Sequence, residues 1–192
     1  MILVKDKILI LFSGGIDSTA LIYYYKSKEY QIKCLHIQYN QESAKSELKS
    51  VKKICDYYNI SFEVVSLPFS IQKRSNEYIG RNALFILIAL SSKFSESYNR
   101  IAIGVNVSSR YYDCSTNFIS DIQTIVDGYY AGTKAIDAPF VNLTKYEIIY
   151  FCISNEIPID LTYSCLKQNS PPCGECGACR DRRIIDEIER TM

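Results

Sequence analysis

Short apolar runs alternate along the chain with longer segments of helical spacing. Residues 8–12, 33–37, 61–66 and 100–105 are short, apolar and often β-branched, which predicts strands covered on both faces. Between them, residues 19–28, 42–59, 82–97 and 117–130 repeat apolar side chains three and four apart, the spacing of helices packed by one face. A fifth strand is predicted over 135–140 and a helix over 144–155. Beyond 159 the pattern breaks into a Pro- and Cys-rich loop that ends in a short charged helix over 181–190. Repeated strand–helix units give an α/β fold with a doubly wound parallel sheet. We divide the chain into an α/β domain over 1–160 and a tail over 161–192. Ligands of such sheets bind at the carboxyl ends of the strands, so the loops after residues 12, 37, 66 and 105 are where chemistry is expected.

Composition narrows the class without naming it. With 192 residues, 47% hydrophobic and 22% charged, the chain is neither disordered nor fibrous. Its longest apolar run, residues 83–90, has the length of a helix core and falls well short of a membrane span. The apolar residues 1–4 are interrupted at once by Lys5, Asp6 and Lys7, so no signal peptide is read and a cytoplasmic protein is expected. A net charge of +1 gives no broad basic surface, and neither direct nucleic-acid binding nor a membrane partner is expected. There is no internal repeat and no low-complexity linker.

The segment from Ser13 through Gly14, Gly15, Ile16, Asp17 and Ser18 to Thr19 follows the first strand and opens the first helix. Two glycines allow a tight turn with inward amides, and the helix amino terminus adds partial positive charge; together they form an anion site. Ser13, Ser18 and Thr19 add hydroxyls. An acidic residue in such a loop repels phosphate unless it orients a metal, which assigns Asp17 to a Mg²⁺ ion on phosphate oxygens. The bland alternative is a strand-to-helix turn with an ordinary polar cap. The string lacks the GK[ST] ending of a Walker A loop and is not a GxGxxG fingerprint.

In the tail, Cys165, Cys173, Cys176 and Cys179 are spaced C-x7-C-x2-C-x2-C, with Pro171, Pro172, Gly174 and Gly177 in the turns. Four thiolates so spaced can close a tetrahedron around Zn²⁺ at about 2.3 Å per bond, a closed structural site. An iron–sulfur cluster takes the same four ligands, and disulfides are the third use. Cys34, Cys55 and Cys152 lie in apolar elements and read as small core residues. His36, the single histidine, lies on a predicted strand and reads as packed core; without a histidine partner Cys114 is not read as a nucleophile.

The loop string resembles the SGGxDS loop of the PP-loop ATP pyrophosphatases, which hold the pyrophosphate of ATP and split its α–β bond. Further strings occur in the order of one such family, the 7-cyano-7-deazaguanine synthases of the queuosine pathway. They are Tyr39-Asn40-Gln41, Gly80-Arg81-Asn82, Gly104-Val105, Tyr112-Asp113-Cys114 with Phe118, Pro139 with Lys145, and Thr162 through Cys165 to Cys179-Arg180. The similarity covers nearly the whole chain. It implies an adenine nucleotide alpha hydrolase-like domain with a zinc-binding tail, and an enzyme that uses ATP and Mg²⁺ to adenylate and amidate 7-carboxy-7-deazaguanine, releasing AMP and pyrophosphate. It also implies a homodimer and a small deazaguanine substrate. On this reading Ser13, Gly14, Gly15, Asp17, Ser18 and Thr19 bind the nucleotide. Asp17, Arg81 and Lys145 are catalytic, the last two neutralising phosphate charge. Tyr39, Gln41, Arg81, Asn82, Tyr112 and Asp113 contact the substrate, Asp113 as an acceptor for a guanine-like edge or else as a solvated turn.

Three departures surround the expected acceptor site. Tyr78-Ile79 stands where the family has Val-Pro, Glu42-Ser43 where it has Arg-His, and residues 106–110 where it has an acidic stretch. They motivate a second expectation, a synthase-like enzyme of a bacterial antiphage system that passes the activated deazaguanine to a protein amine. A third is a noncatalytic ATP- and zinc-binding module; a fourth, a tRNA thiolase, is disfavoured by the low charge. The pairs Tyr111-Tyr112 and Tyr129-Tyr130 lie in an interface or in the core.

Overall fold

A computed structural model describes residues 6–75, 77–167 and 171–191; the apolar run at 1–4 lies outside them. In chain order the elements are β1 (Lys7–Leu11), α1 (Ile16–Lys26), β2 (Gln31–Gln38), α2 (Ala44–Tyr58), β3 (Phe62–Ser66), β4 (Lys73–Arg74), β5 (Glu77–Tyr78), α3 (Arg81–Ser91), β6 (Arg100–Ala102), α4 (Thr116–Tyr130), β7 (Ala135–Asp137), α5 (Lys145–Ser154) and α6 (Gly177–Glu189). Five strands form one parallel sheet in the order β3-β2-β1-β6-β7. The chain builds outward from β1 to β3, then returns past β1 to β6 and β7. The reversal lies between β1 and β6, where α/β sheets open a crevice at their carboxyl edge.

Strand alternation separates two cores. Ile8 and Ile10 of β1 join Leu21 and Ile22 of α1, Val51 and Ile54 of α2, Ile148 and Ile149 of α5, and Ile188 of α6. Leu9 and Leu11 join Ile86 and Leu90 of α3 and Ile122 and Val126 of α4. Ile8, Leu9 and Ile10 are all fully buried, each worth about 1.5–3 kcal/mol, so β1 is clamped from both sides at the point where it delivers the following loop.

Boundaries differ from the sequence reading for identifiable reasons. β6 and β7 stop at Ala102 and Asp137 although apolar residues continue: the Ile103 amide still donates to the Asp137 carbonyl at 2.9 Å, and Ile103, Val105 and Phe140 stay buried past the strand ends. α3 ends at Ser91 because Ser92 turns extended (φ −88°, ψ 135°) and its hydroxyl returns to the Ile88 carbonyl at 2.5 Å. The two-residue strands β4 and β5 pair antiparallel and are too short to show a period. α6 starts inside the cysteine cluster, with Cys176 as its N-cap, rather than at 181. The tail shares the first core through Ile188, and Arg182 donates to the Thr162 hydroxyl (2.6 Å) and the Ile159 carbonyl (3.2 Å). Among the described residues no helix is long and apolar enough to cross a membrane.

Candidate active site

The loop after β1 has little freedom. Gly14 has φ +78°, and a Cβ there would stand 3.0 Å from the Glu47 carbonyl and 3.2 Å from Ser50 and Val51, so only glycine fits against α2. Its carbonyl accepts the Tyr163 amide at 2.9 Å and lies 2.9 Å from the Ser50 hydroxyl, which also reaches the Leu161 carbonyl at 2.5 Å. The loop is thereby tied to both α2 and the tail. The turn feeds straight into α1, which has no side-chain cap, so its first amides are left for a ligand. Ser13 and Ser18 hydroxyls lie 3.1 Å apart beside them. Thr19 is fully buried and donates to the Gly15 carbonyl at 2.8 Å, so it braces the loop rather than facing a phosphate.

Across the crevice, Gly104 follows β6. A Cβ there would meet the Asp17 backbone and the Ser18 amide at 3.2 Å; the missing side chain lets the chain after β6 close on the first turn of α1. Lys145, the first residue of α5, donates to both carboxylate oxygens of Asp17 at 2.6 and 2.7 Å. Asn106 donates to the same carboxylate at 3.2 Å. Asp181 of α6 lies close enough to interact with both members of the pair; burial raises its carboxyl, with Lys145 opposing and Asp17 reinforcing. The loop, β6, α5 and the tail thus converge on one charged corner.

A cavity of about 300 Å³ opens there, and its lining includes Ser13, Gly15, Asp17 and Ser18 of the loop, Lys145, and Tyr163 and Ser164 of the tail. The same lining carries Tyr39, Glu47, Arg81 and Asn82 together with Phe12, Leu35, His36 and Ile37. Arg81 donates to the Tyr39 hydroxyl at 3.4 Å; burial works against its charge, but Tyr39 and Asp113 more than offset this and hold the guanidinium above its ordinary value. Burial likewise raises the Tyr39 phenol. Gln41 accepts the Tyr39 amide at 2.8 Å and donates to Glu47 at 2.7 Å, so it orders the wall without lining the cavity.

Tyr112 and Asp113 are placed outside the cavity lining. Asp113 is buried and accepts the Asn82 amide at 3.2 Å, while Asn82 Nδ2 returns to the Asp113 carbonyl at 2.9 Å. The carboxylate anchors the start of α3, and with it Arg81. Tyr112 is 57% exposed, packs its ring on Phe118 and donates to Asp121. Glu47, Ser50 and Asn106 were not singled out by sequence, since each acts through a partner distant in the chain; Gly104 was noted only as part of a string.

Cys165, Cys173, Cys176 and Cys179 bring their sulfurs within 4.8 Å of one another, with Cys173 and Cys179 at 3.9 Å. Tetrahedral zinc thiolates require sulfur separations of about 3.8 Å, so the donor set fits with small adjustment. Cys165 Sγ accepts the Lys167 and Cys173 amides at 3.4 Å, and backbone amides at Glu175 and Cys176 pull the Cys173 thiol down to about 6. Such N–H···S contacts are what ligand thiolates need.

The family profile described as "Queuosine biosynthesis protein QueC" matches residues 7–77 and 69–184. Relatives named 7-cyano-7-deazaguanine synthase include one from Nautilia profundicola, 32% identical over 92% of this chain and 91% of that protein. Another, from Sulfurimonas denitrificans, is 33% identical over 95% of this chain and 93% of that one. A more distant likeness is to the NH3-dependent NAD synthetase from Campylobacter jejuni, with TM-score 0.49 and 20% identity over 81% of this chain and 66% of that one.

Proposed function

We propose, from the premise that this chain belongs to the QueC family of queuosine-biosynthesis proteins, that it is an AMP-forming ligase that converts 7-carboxy-7-deazaguanine to 7-cyano-7-deazaguanine with ATP and ammonia. The observation that carries this reading is the uncapped amino terminus of α1 beside the Asp17–Lys145 pair, at the crevice between β1 and β6. A substrate carboxylate oxygen attacks the α-phosphorus and pyrophosphate leaves, giving an acyl adenylate. Ammonia adds to the acyl carbon, AMP leaves and nitrogen releases a proton, giving the amide. The amide oxygen then attacks the α-phosphorus of a second ATP and pyrophosphate leaves; loss of AMP and the two nitrogen protons from that adduct gives the nitrile.

The residues' roles follow from charge and place. Without a nucleotide, Lys145 and Asp17 neutralise each other; with one, the ammonium turns to the phosphates, where it stabilises the charge developing on pyrophosphate. Arg81, kept charged in the same cavity, neutralises the substrate carboxylate or the α-phosphate. Asp17 is the loop carboxylate that would hold Mg²⁺, which supplies charge neutralisation on phosphate oxygens when bound. The four tail thiolates would hold zinc as a structural tie, and a homodimer belongs to the same reading. α4 leaves Ile125 and Tyr129 48% and 78% exposed, apolar surface of the kind a second copy covers.

The test is pyrophosphate release from ATP and Mg²⁺ with 7-carboxy-7-deazaguanine, with and without ammonium, and mass spectrometry of the product. Ammonium-dependent nitrile is expected. Pyrophosphate release that stops at the adenylate replaces ammonia by another acceptor, such as a protein amine; no release with any acceptor leaves a binding module.

A further inference from the structure

Asn106 lies in the loop after β6 and is 8% exposed. Its side chain makes two contacts of opposite sense: Nδ2 donates to Asp17 Oδ2 at 3.2 Å, and Oδ1 accepts the Ser108 amide at 3.1 Å. A carboxylate can only accept and a backbone N–H can only donate, so the two partners fix which end of the carboxamide is which. Ser108 in turn accepts the Lys145 amide on its hydroxyl oxygen at 2.8 Å. That amide belongs to the first residue of α5 and has no partner within the helix. Lys145 Nζ then returns to both oxygens of Asp17. Asp17, Asn106, Ser108 and Lys145 thus close a ring of hydrogen bonds drawn from three separate stretches of chain.

The ring holds Asp17 twice, once by a charge and once by a neutral amide. The two holds differ in what they are free to do. Lys145 carries its ammonium on a flexible stem and has phosphates to turn to, whereas the Asn106 carboxamide is tied back to Ser108. When Lys145 turns away, Asn106 is the one hydrogen-bond donor left on the carboxylate among the described residues. Asp181, the other charge beside the pair, repels Asp17. We propose that Asn106 is a positioning residue for Asp17, holding the loop carboxylate in place after the ammonium has moved to the phosphates. Asn106 does not line the cavity, so it acts through Asp17 rather than on the ligand. This rests on the reading of the cavity as an ATP site in which Asp17 holds the divalent cation. A cationic side chain at the same place would compete with that cation for the carboxylate; a neutral donor does not.

The test uses Asn106→Ser on the zinc-loaded full chain. A serine hydroxyl still accepts the amide two residues on, which keeps the turn, but it is too short to reach Asp17. ATP affinity is measured by calorimetry with and without added Mg²⁺, in the absence of any acceptor substrate, together with thermal stability. Mg²⁺ is expected to strengthen ATP binding to the wild type. In Asn106→Ser that strengthening should shrink on the order of tenfold, the loss of one hydrogen bond to a charged group, while metal-free binding and Tm stay close to wild type. Equal losses with and without Mg²⁺, in step with a lower Tm, would reduce Asn106 to a support of the turn and overturn the proposal, as would wild-type behaviour in the variant. A second measurement needs no mutation: the Asn106 side-chain amide protons, followed by NMR, should stay protected from solvent exchange when Mg²⁺ and ATP are added, and loss of protection overturns the proposal even if the variant fails to fold. Wild-type protein that does not bind ATP, or binds it no better with Mg²⁺, would instead bring down the reading on which the proposal stands.

Discussion

The chemistry at single residues depends on who faces whom. Asp17 and Lys145 are 128 positions apart and meet at 2.6 Å, a pairing no local pattern announces. Sequence made the glycine loop legible because its conformational demand is local, and it flagged Lys145 through family resemblance alone. It could not distinguish Asp113 as an anchor from Asp113 as a reader of the substrate, since both need a carboxylate at that spot. The same physics predicts how two variants differ. Lys145→Ala removes the charge proposed to act on the leaving pyrophosphate, so kcat should fall on the order of 100-fold with the fold intact, as pre-steady-state pyrophosphate release would report. Gly104→Ala leaves every charge in place but inserts a Cβ against the Asp17 and Ser18 backbone at 3.2 Å. Its loss should appear first as weaker nucleotide binding. Equal kcat and KM effects in the two variants would contradict this division of labour.

At the scale of elements, the start of α5 decides where Lys145 stands. Thr144 caps the helix, its hydroxyl accepting the Glu147 amide at 3.2 Å while Glu147 accepts the Thr144 amide at 2.7 Å, a reciprocal capping box. Thr144→Ala should cost on the order of 1 kcal/mol, a fall of about 2–4 °C in Tm for a chain of this size, and should weaken nucleotide binding as well because the first helical residue is the lysine. The hydrogen bonds from Thr144 also hold the Glu147 carboxyl below its ordinary value near 4.5. The sign follows: a carboxyl depressed on folding stabilises the protein fully above the unfolded value and loses that contribution as pH falls through the lower folded one. Wild-type stability should therefore decline below about pH 4.5 more steeply than that of Glu147→Gln, a difference that denaturant titrations at several pH values would resolve. Helices with clear periods were legible in sequence. The misplaced ends lie at Ser91, where the next serine bonds back to its own helix, and at Gly177, where the helix opens directly from the cysteine cluster.

At the scale of the whole molecule, the tail over 161–192 is packed into the α/β part of the chain. Ile188 packs with Ile148 and Ile149, and Tyr163 and Ser164 line the same cavity as the phosphate loop. Sequence marked the tail as separate because its composition changes, but composition says nothing about which surface a segment covers. On the proposed zinc reading, chelation should lower both thermal stability and nucleotide affinity, and added zinc should recover both; stability lost with affinity unchanged would make the cysteines a remote staple. The Gly14 carbonyl accepts the Tyr163 amide, so a loop made among the first fifteen residues is finished by a partner some 150 positions later. During synthesis the loop therefore leaves the ribosome long before its other wall exists. A nascent chain that has not yet extruded Tyr163 and the cysteines behind it should neither capture nucleotide nor spend it, and the competence to react arrives only as the last stretch emerges.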